Sequence, residues 1–161
     1  MMLQNAATDV RVEVAVDAPI EQAFATFVER CDDWWPRMYR LSEAERTDVR
    51  IEPEEGGRWY EVTADGGTCD WGHVRVWDPP RHLELSWQID VAFAPEPDPA
   101  KASTVEVRFA PEGADRTRVT VIHRDLERHG EGWESMRESV ADQGGWPGIL
   151  DAYASLVAAT P

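Results

Sequence analysis

Cysteine is nearly absent. Cys31 and Cys69 are the only two in 161 residues, too few for a disulfide framework and without the spacing of metal ligands. Lysine is scarcer still, with Lys101 alone. Basic residues number 16 against 31 acidic ones, a formal net charge of −15. That balance excludes a phosphate-backbone binder, which needs clustered cations, and argues against an anionic membrane surface as partner. No apolar run approaches the roughly 20 residues of a membrane-spanning helix. The opening MMLQNAATDVRVEV has no basic stretch followed by an apolar one, so no signal peptide is expected and a cytoplasmic location with reduced thiols is. Phosphate-cradling glycine loops, a dinucleotide fingerprint and a nucleophile elbow are all missing. The four histidines (His73, His82, His123 and His129) are scattered, so neither a metal nor a cofactor is expected.

Tryptophan, by contrast, is abundant, at eight residues. Large rings must be buried or must line something. Val10, Val12, Val14 and Val16 alternate with Arg11, Glu13 and Ala15, which predicts a half-buried strand. Pro19 then opens a helix whose apolar face is Ile20, Ala23, Phe24, Phe27 and Val28. Strands are predicted over 48–52, 58–63, 70–77, 82–89, 104–109 and 117–124, with a proline-rich loop over 93–102. Residues 130–142 are helical in pattern. Gly144-Gly145 breaks them, and Trp146-Pro147 starts a last helix with Trp146, Ile149, Leu150, Tyr153, Leu156 and Val157 on one face. The order predicts an α+β fold in which one curved antiparallel sheet wraps the last helix, with the whole chain, 1–161, forming one domain.

Strand pairing decides which side chains share a face. A four-residue turn at 78–81 pairs Trp77 with His82, Val76 with Leu83 and Arg75 with Glu84. Val76, Leu83, Val74, Leu85, Gly72 and Trp87 then fall on one face, and an Arg75–Glu84 ion pair on the other. The turn between Thr63 and Thr68 adds Trp59 and Glu61 to the apolar face, with Gly72 making room between Trp59 and Trp87. The parity of Val105, Val107 and Phe109, and of Val119, Val121 and His123, places Phe109 and His123 inside as well. The expected inner wall is Trp59, Glu61, Trp87, Phe109 and His123, with Trp146, Leu150 and Tyr153 from the last helix and Trp35 and Met38 closing one end. Big rings with few polar groups are the composition of ligand cavities. An inward carboxylate needs partners or water, so Glu61 and His123 are expected either to pair or to address one polar group of a ligand. Trp71 and Trp77 are expected on the outer face, where they would offer a protein or dimer contact.

The stretch VEVAVDAPIEQAFATF resembles the start of START-like, helix-grip proteins. GGRWYEVTADGGTCDWGHVRVWDPPRHLELSW is similar to the branch named for homologues of the heat-shock-protein-90 ATPase activator, and TRVTVIHRDL and GGWPGILDAYASLV resemble its closing elements. The resemblance covers residues 8–158. It implies a sheet of six or seven strands gripping a long C-terminal helix, two short helices after the first strand, and an internal cavity between sheet and helix. By position it points to Trp59, Glu61, Trp87, Phe109, His123 and Trp146 as cavity lining, and it supplies no catalytic residue. The expected activity is binding of a small hydrophobic or aromatic molecule. A cyclase- or hydrolase-like enzyme using His123 and Glu61, and a co-chaperone-type interaction module, are the alternatives.

Overall fold

The computed structural model describes residues 8–160. Strand β1 (Val10–Val16) leads into α1 (Ile20–Glu29) and the single turn α2 (Cys31–Trp34). Six strands follow: β2 (Arg46–Ile51), β3 (Arg58–Thr63), β4 (Thr68–Asp78), β5 (His82–Trp87), β6 (Ser103–Pro111) and β7 (Thr117–Arg124). The chain closes with α3 (Trp133–Ala141) and α4 (Trp146–Ala159). All seven strands form one antiparallel sheet in the order β1-β7-β6-β5-β4-β3-β2. Consecutive strands pair from β2 to β7, and β1 closes onto β7. This curled sheet with a long C-terminal helix is the helix-grip architecture.

The helices sit where their apolar stripes put them. On α1, Ala23, Phe24, Phe27 and Val28 are buried, and on α4 so are Trp146, Ile149, Leu150, Tyr153 and Val157. That α4 set recurs at three- and four-residue steps, one face of a 3.6-residue period. The Tyr153 hydroxyl donates to the Ala23 carbonyl at 2.6 Å and ties α4 to α1. On β6 and β7 the residues predicted to face inward are buried, and Thr104, Glu106, Thr120 and Ile122 on the other face are buried too. Val105, Val107, Val119, Val121 and His123 are fully buried and Phe109 is nearly so.

Strand β4 departs from the expected regular alternation, because it carries two bulges. Trp59 pairs with Gly72 but Tyr60 pairs with Asp70, so Trp71 is an extra residue. Val74 pairs with Leu85 but Val76 with Glu84, so Arg75 is another. An inserted residue reverses side-chain parity beyond it. Trp71 is therefore buried at 4% exposure rather than outward. Trp77 pairs with Leu83 and packs edge-on against Phe24 at 5.3 Å. The expected outer-face patch of Trp71 and Trp77 does not exist, which removes its support for a chaperone-type or dimer contact. Likewise Asp78, not Trp77, pairs with His82. The expected Arg75–Glu84 ion pair gives way to one between Glu84 and Arg124 at 3.1 Å. A third bulge, between Arg46 and Asp48 of β2, turns Arg46 inward.

Gly72 is required by a close approach different from the one the sequence suggested. A Cβ there would overlap the Ser86 carbonyl oxygen of β5. The bulge draws the two backbones together, and the Ser86 hydroxyl accepts the His73 N–H at 2.8 Å. Gly72→Ala is expected to destabilise the fold by about 2–4 kcal/mol, as measured by urea denaturation; a loss below about 0.5 kcal/mol contradicts this packing.

Candidate functional site

The interior between sheet and α4 has two unlike halves. One is filled. Phe27 meets Trp34 at 4.5 Å, Tyr153 at 5.3 Å and Phe109 at 5.7 Å, and Phe24 meets Phe109 at 5.0 Å. Phe109, Leu150 and Tyr153, expected as cavity lining, are core here. The other half is a tryptophan cluster. Trp35 sits at its centre, edge-on to Trp71 at 5.2 Å, Trp59 at 5.4 Å and Trp146 at 5.9 Å. Trp87 lies 6.1 Å from both Trp71 and Trp146. Such offset and edge-to-face geometry is the favourable arrangement for ring quadrupoles.

Beside this cluster a cavity of about 420 Å3 opens to solvent. Its walls are Trp35, Trp71, Trp87, Trp146 and Ile149, together with Val140 of α3. The mouth is formed by Met38, Tyr39, Arg40 and Leu41 on one side and Ser139, Asp142, Gly144 and Gly145 on the other, with Phe93 beside them. Of the residues expected from sequence, Trp35, Met38, Trp87 and Trp146 reach this lining. Trp59, Glu61 and His123 lie behind it, in the wall's support. Trp71 was missed because of the bulge. Ser139, Val140 and Ile149 were missed although they lie on predicted helices. Tyr39, Arg40, Leu41, Phe93, Asp142, Gly144 and Gly145 were missed because they lie on irregular segments without periodicity.

Two buried charged side chains hold the 36–42 arc in place. The Glu61 carboxylate, fully buried, accepts from the Leu41 N–H at 2.7 Å, the Ser42 N–H at 3.0 Å and the Trp71 indole N–H at 3.0 Å. The Arg46 guanidinium donates to the carbonyls of Trp35 (3.1 Å), Pro36 (2.9 Å) and Tyr39 (2.8 Å), and faces Asp32 at 3.5 Å. Buried charges are tolerated when so surrounded by partners. Glu61 is thus inward, as expected, but its acceptor capacity goes to the arc and to Trp71 rather than to His123. The arc's tip, Met38, is 78% exposed, and the Tyr39 hydroxyl crosses the mouth to the Gly144 carbonyl. Phe93, half exposed, holds φ at 61°, a strained value for a bulky residue. The Asp90 side chain cradles that turn by accepting from the Ala92 and Ala94 N–H groups. Met38 and Phe93 are the exposed large hydrophobic residues among those described, and both stand at the mouth.

The back of the wall is set by a hydrogen-bond chain. The Trp146 indole N–H can only donate, and it donates to His123 Nδ1 at 3.1 Å. Neutral His123 must then carry its proton on Nε2, which meets the Ser103 hydroxyl at 2.7 Å. That leaves the Ser103 proton for His129 Nε2, also at 2.7 Å. Burial and the neighbouring His129 push the His123 pKa down to about 3, so the imidazole is neutral across the physiological range and serves to orient Trp146. Burial pushes the Cys31 thiol far up and removes it as a nucleophile. His82, Glu84 and Glu106 form the metal-like cluster among the described residues. Arg124 bonds both carboxylates and Arg108 bonds Glu106, so the group is a cross-strand ion-pair network. No helix among the described residues is long and apolar enough to cross a membrane.

Comparison with known proteins agrees with this architecture. The profile of the family described as Activator of Hsp90 ATPase homolog 1-like protein matches residues 17–158. An anthrahydroquino-γ-pyrone synthase, solved as a complex, is 38% identical. The match covers 92% of this chain and 96% of that one, with a TM-score of 0.65. CalC, a self-sacrificing resistance protein from Micromonospora echinospora, is 30% identical over 92% of this chain and 93% of that one, with a TM-score of 0.63. A protein from Nitrosomonas europaea has the same fold, with 15% identity, 98% and 99% coverage and a TM-score of 0.69. No curated protein matches the chain.

The His123 environment predicts a pH signature. Its folded pKa lies below the unfolded value of 6.5, so the unfolded chain binds a proton there that the folded chain does not. That contribution is fully present above about pH 6.5 and is lost progressively as pH falls towards 3. His123→Gln is expected to flatten the fall of stability between about pH 6 and 4 by up to about 1.4 kcal/mol per pH unit, read from urea midpoints. Identical slopes in the two proteins contradict a neutral buried imidazole.

Proposed function

The chain belongs to the family of Activator of Hsp90 ATPase homolog 1-like proteins, and on that footing we propose that it binds a planar polycyclic aromatic molecule in the tryptophan-walled cavity. The observation that carries this reading is the cavity itself. About 420 Å3 of open space is lined by four indoles and rimmed by exposed Met38 and Phe93. That volume lies within the range of small-molecule sites, which are mostly apolar with a few polar groups. Flat ring faces offer the largest contact area to another flat ring system, and stacking adds to simple burial. The few polar groups, Tyr39, Arg40, Ser139 and Asp142, all sit at the mouth, so the ligand's rings go inward and its polar substituents stay near water.

A second reading is favoured by the 38% identity to the anthrahydroquino-γ-pyrone synthase. It is a ring-closing reaction on such a ligand. A phenol O–H adds across a side-chain carbonyl, so that a C–O bond forms as the phenol proton passes to the carbonyl oxygen. That hydroxyl then leaves as water with a proton from the adjacent CH2, and the ring C=C is formed. The cavity's contribution is to hold the side chain folded over the ring edge in reacting geometry. The reading predicts that a hydroxyanthraquinone bearing an ortho 1,3-diketone closes to the pyrone faster with the protein than in buffer, followed by chromatography. A rate equal to that of buffer rejects ring closure and leaves binding standing.

For binding itself, titration with a neutral hydroxyanthraquinone is expected to quench tryptophan fluorescence in a saturable way. Trp87→Ala should weaken affinity by about 1–3 kcal/mol, whereas Trp133→Ala, on α3 and outside the cavity lining, should not. Absence of saturable quenching, or equal loss in both variants, contradicts the proposed site.

A further inference from the structure

Resting on the reading of the cavity as an aromatic-ligand site, we propose that its ligand carries an ionised oxygen acid, a carboxylate or an acidic phenolate, and that Arg40 binds this group at the mouth. In a chain with 31 acidic and 16 basic residues, a guanidinium finds a carboxylate easily. Arg11, Arg50, Arg58, Arg108 and Arg118 each hold one within 3.2 Å. Among the described residues the cationic side chains with no ion pair, hydrogen bond or ring contact are Arg40, Arg81 and Lys101, and Arg40 alone of these lines the cavity.

Its place is specific. The 36–42 arc that carries Arg40 is fixed at one end by the Arg46 bonds to the Trp35 and Pro36 carbonyls and at the other by the Glu61 bonds to Leu41 and Ser42. A rigid arc therefore presents a free guanidinium over an indole-walled opening. Asp142 on the opposite lip is also without a side-chain partner and does not reach Arg40, so the mouth keeps one positive and one negative side. Among the described residues no other cation lines the cavity. An acid placed deep among the indoles would be buried without a countercharge, which is costly. An acid at Arg40 stays partly hydrated and gains charge-assisted, forked hydrogen bonds. The site thus fixes ligand polarity, rings inward and acid outward.

The test compares anthraquinone-2-carboxylate with anthraquinone-2-carboxamide, its neutral isostere, by fluorescence quenching of the wild-type chain, Arg40→Gln and Arg40→Glu. The wild type is expected to prefer the carboxylate by about 3- to 10-fold. Arg40→Gln should abolish the preference and Arg40→Glu should invert it. Arg40 is exposed and makes no hydrogen bond or ion pair among the described residues, so both variants are expected to fold, checked by unchanged unfolding midpoints. Carboxamide binding without carboxylate preference in the wild type, or a preference that survives Arg40→Gln, overturns the role of Arg40 and leaves the cavity reading intact. Failure of both anthraquinones to bind overturns the two together.

Discussion

The tryptophan-rich half of this protein depends on one extra residue in β4. Without the bulge at Trp71, that side chain would project from the convex side of the sheet. With it, Trp71 joins Trp35, Trp59 and Trp87 inside, stacking on Trp59 at 5.9 Å. The same bulge brings the Trp71 indole N–H within 3.0 Å of Glu61. Glu61, so anchored, has its remaining acceptor capacity for the N–H groups of Leu41 and Ser42. The outer wall of the cavity is thereby linked, through a single buried carboxylate, to the register of β3 against β4. A shift of one residue there would undo the wall, the anchor and the mouth together.

The division of the interior into a packed half and an open half follows from what each end of α4 meets. Towards its C-terminal part, Tyr153 closes on Phe27 and Trp34, and small gaps are filled by interlocking rings. At its start, Trp146 meets Trp35 at 5.9 Å and Trp87 at 6.1 Å, and the cavity opens beside them. Gly144 and Gly145 supply no side chains there, and a Cβ on Gly145 would collide with the Val140 carbonyl. The chain turns tightly between α3 and α4 and leaves space above Trp87. Beside its packed indoles, the open half is braced by directed hydrogen bonds: the Glu61 and Arg46 anchors on one side and the Trp146–His123–Ser103–His129 chain on the other.

Much of this was legible in the sequence where periodicity was unbroken. The parity of Val105–Phe109 and Val119–His123 and most of the 3.6-residue stripe from Trp146 to Val157 translate directly into buried faces, while in the valine alternation of β1 Val10 and Val16 are buried and Val12 and Val14 are half-buried. The inward setting of Glu61 also followed from counting. Its partners did not, because they are backbone N–H groups of a segment with no pattern of its own. The bulges were missed because a strand reading assumes constant parity. The available clue was Gly72 beside Trp71: an isolated glycine within a strand marks a bulge or a close backbone approach, and two large rings on a supposedly wet face were the conflict it resolves. The mouth residues Tyr39, Arg40 and Leu41, and Asp142, Gly144 and Gly145, belong to connections whose paths are set by tertiary contacts alone.

The central claim is that the space in front of Trp71, Trp87 and Trp146 is a seat for flat rings. A crystal structure of the protein grown with a hydroxyanthraquinone tests it most directly. The account predicts planar density in that space, with the ring plane against an indole and the polar edge towards the 36–42 arc. An empty cavity at saturating ligand, or density lodged on the convex face of the sheet, would contradict it.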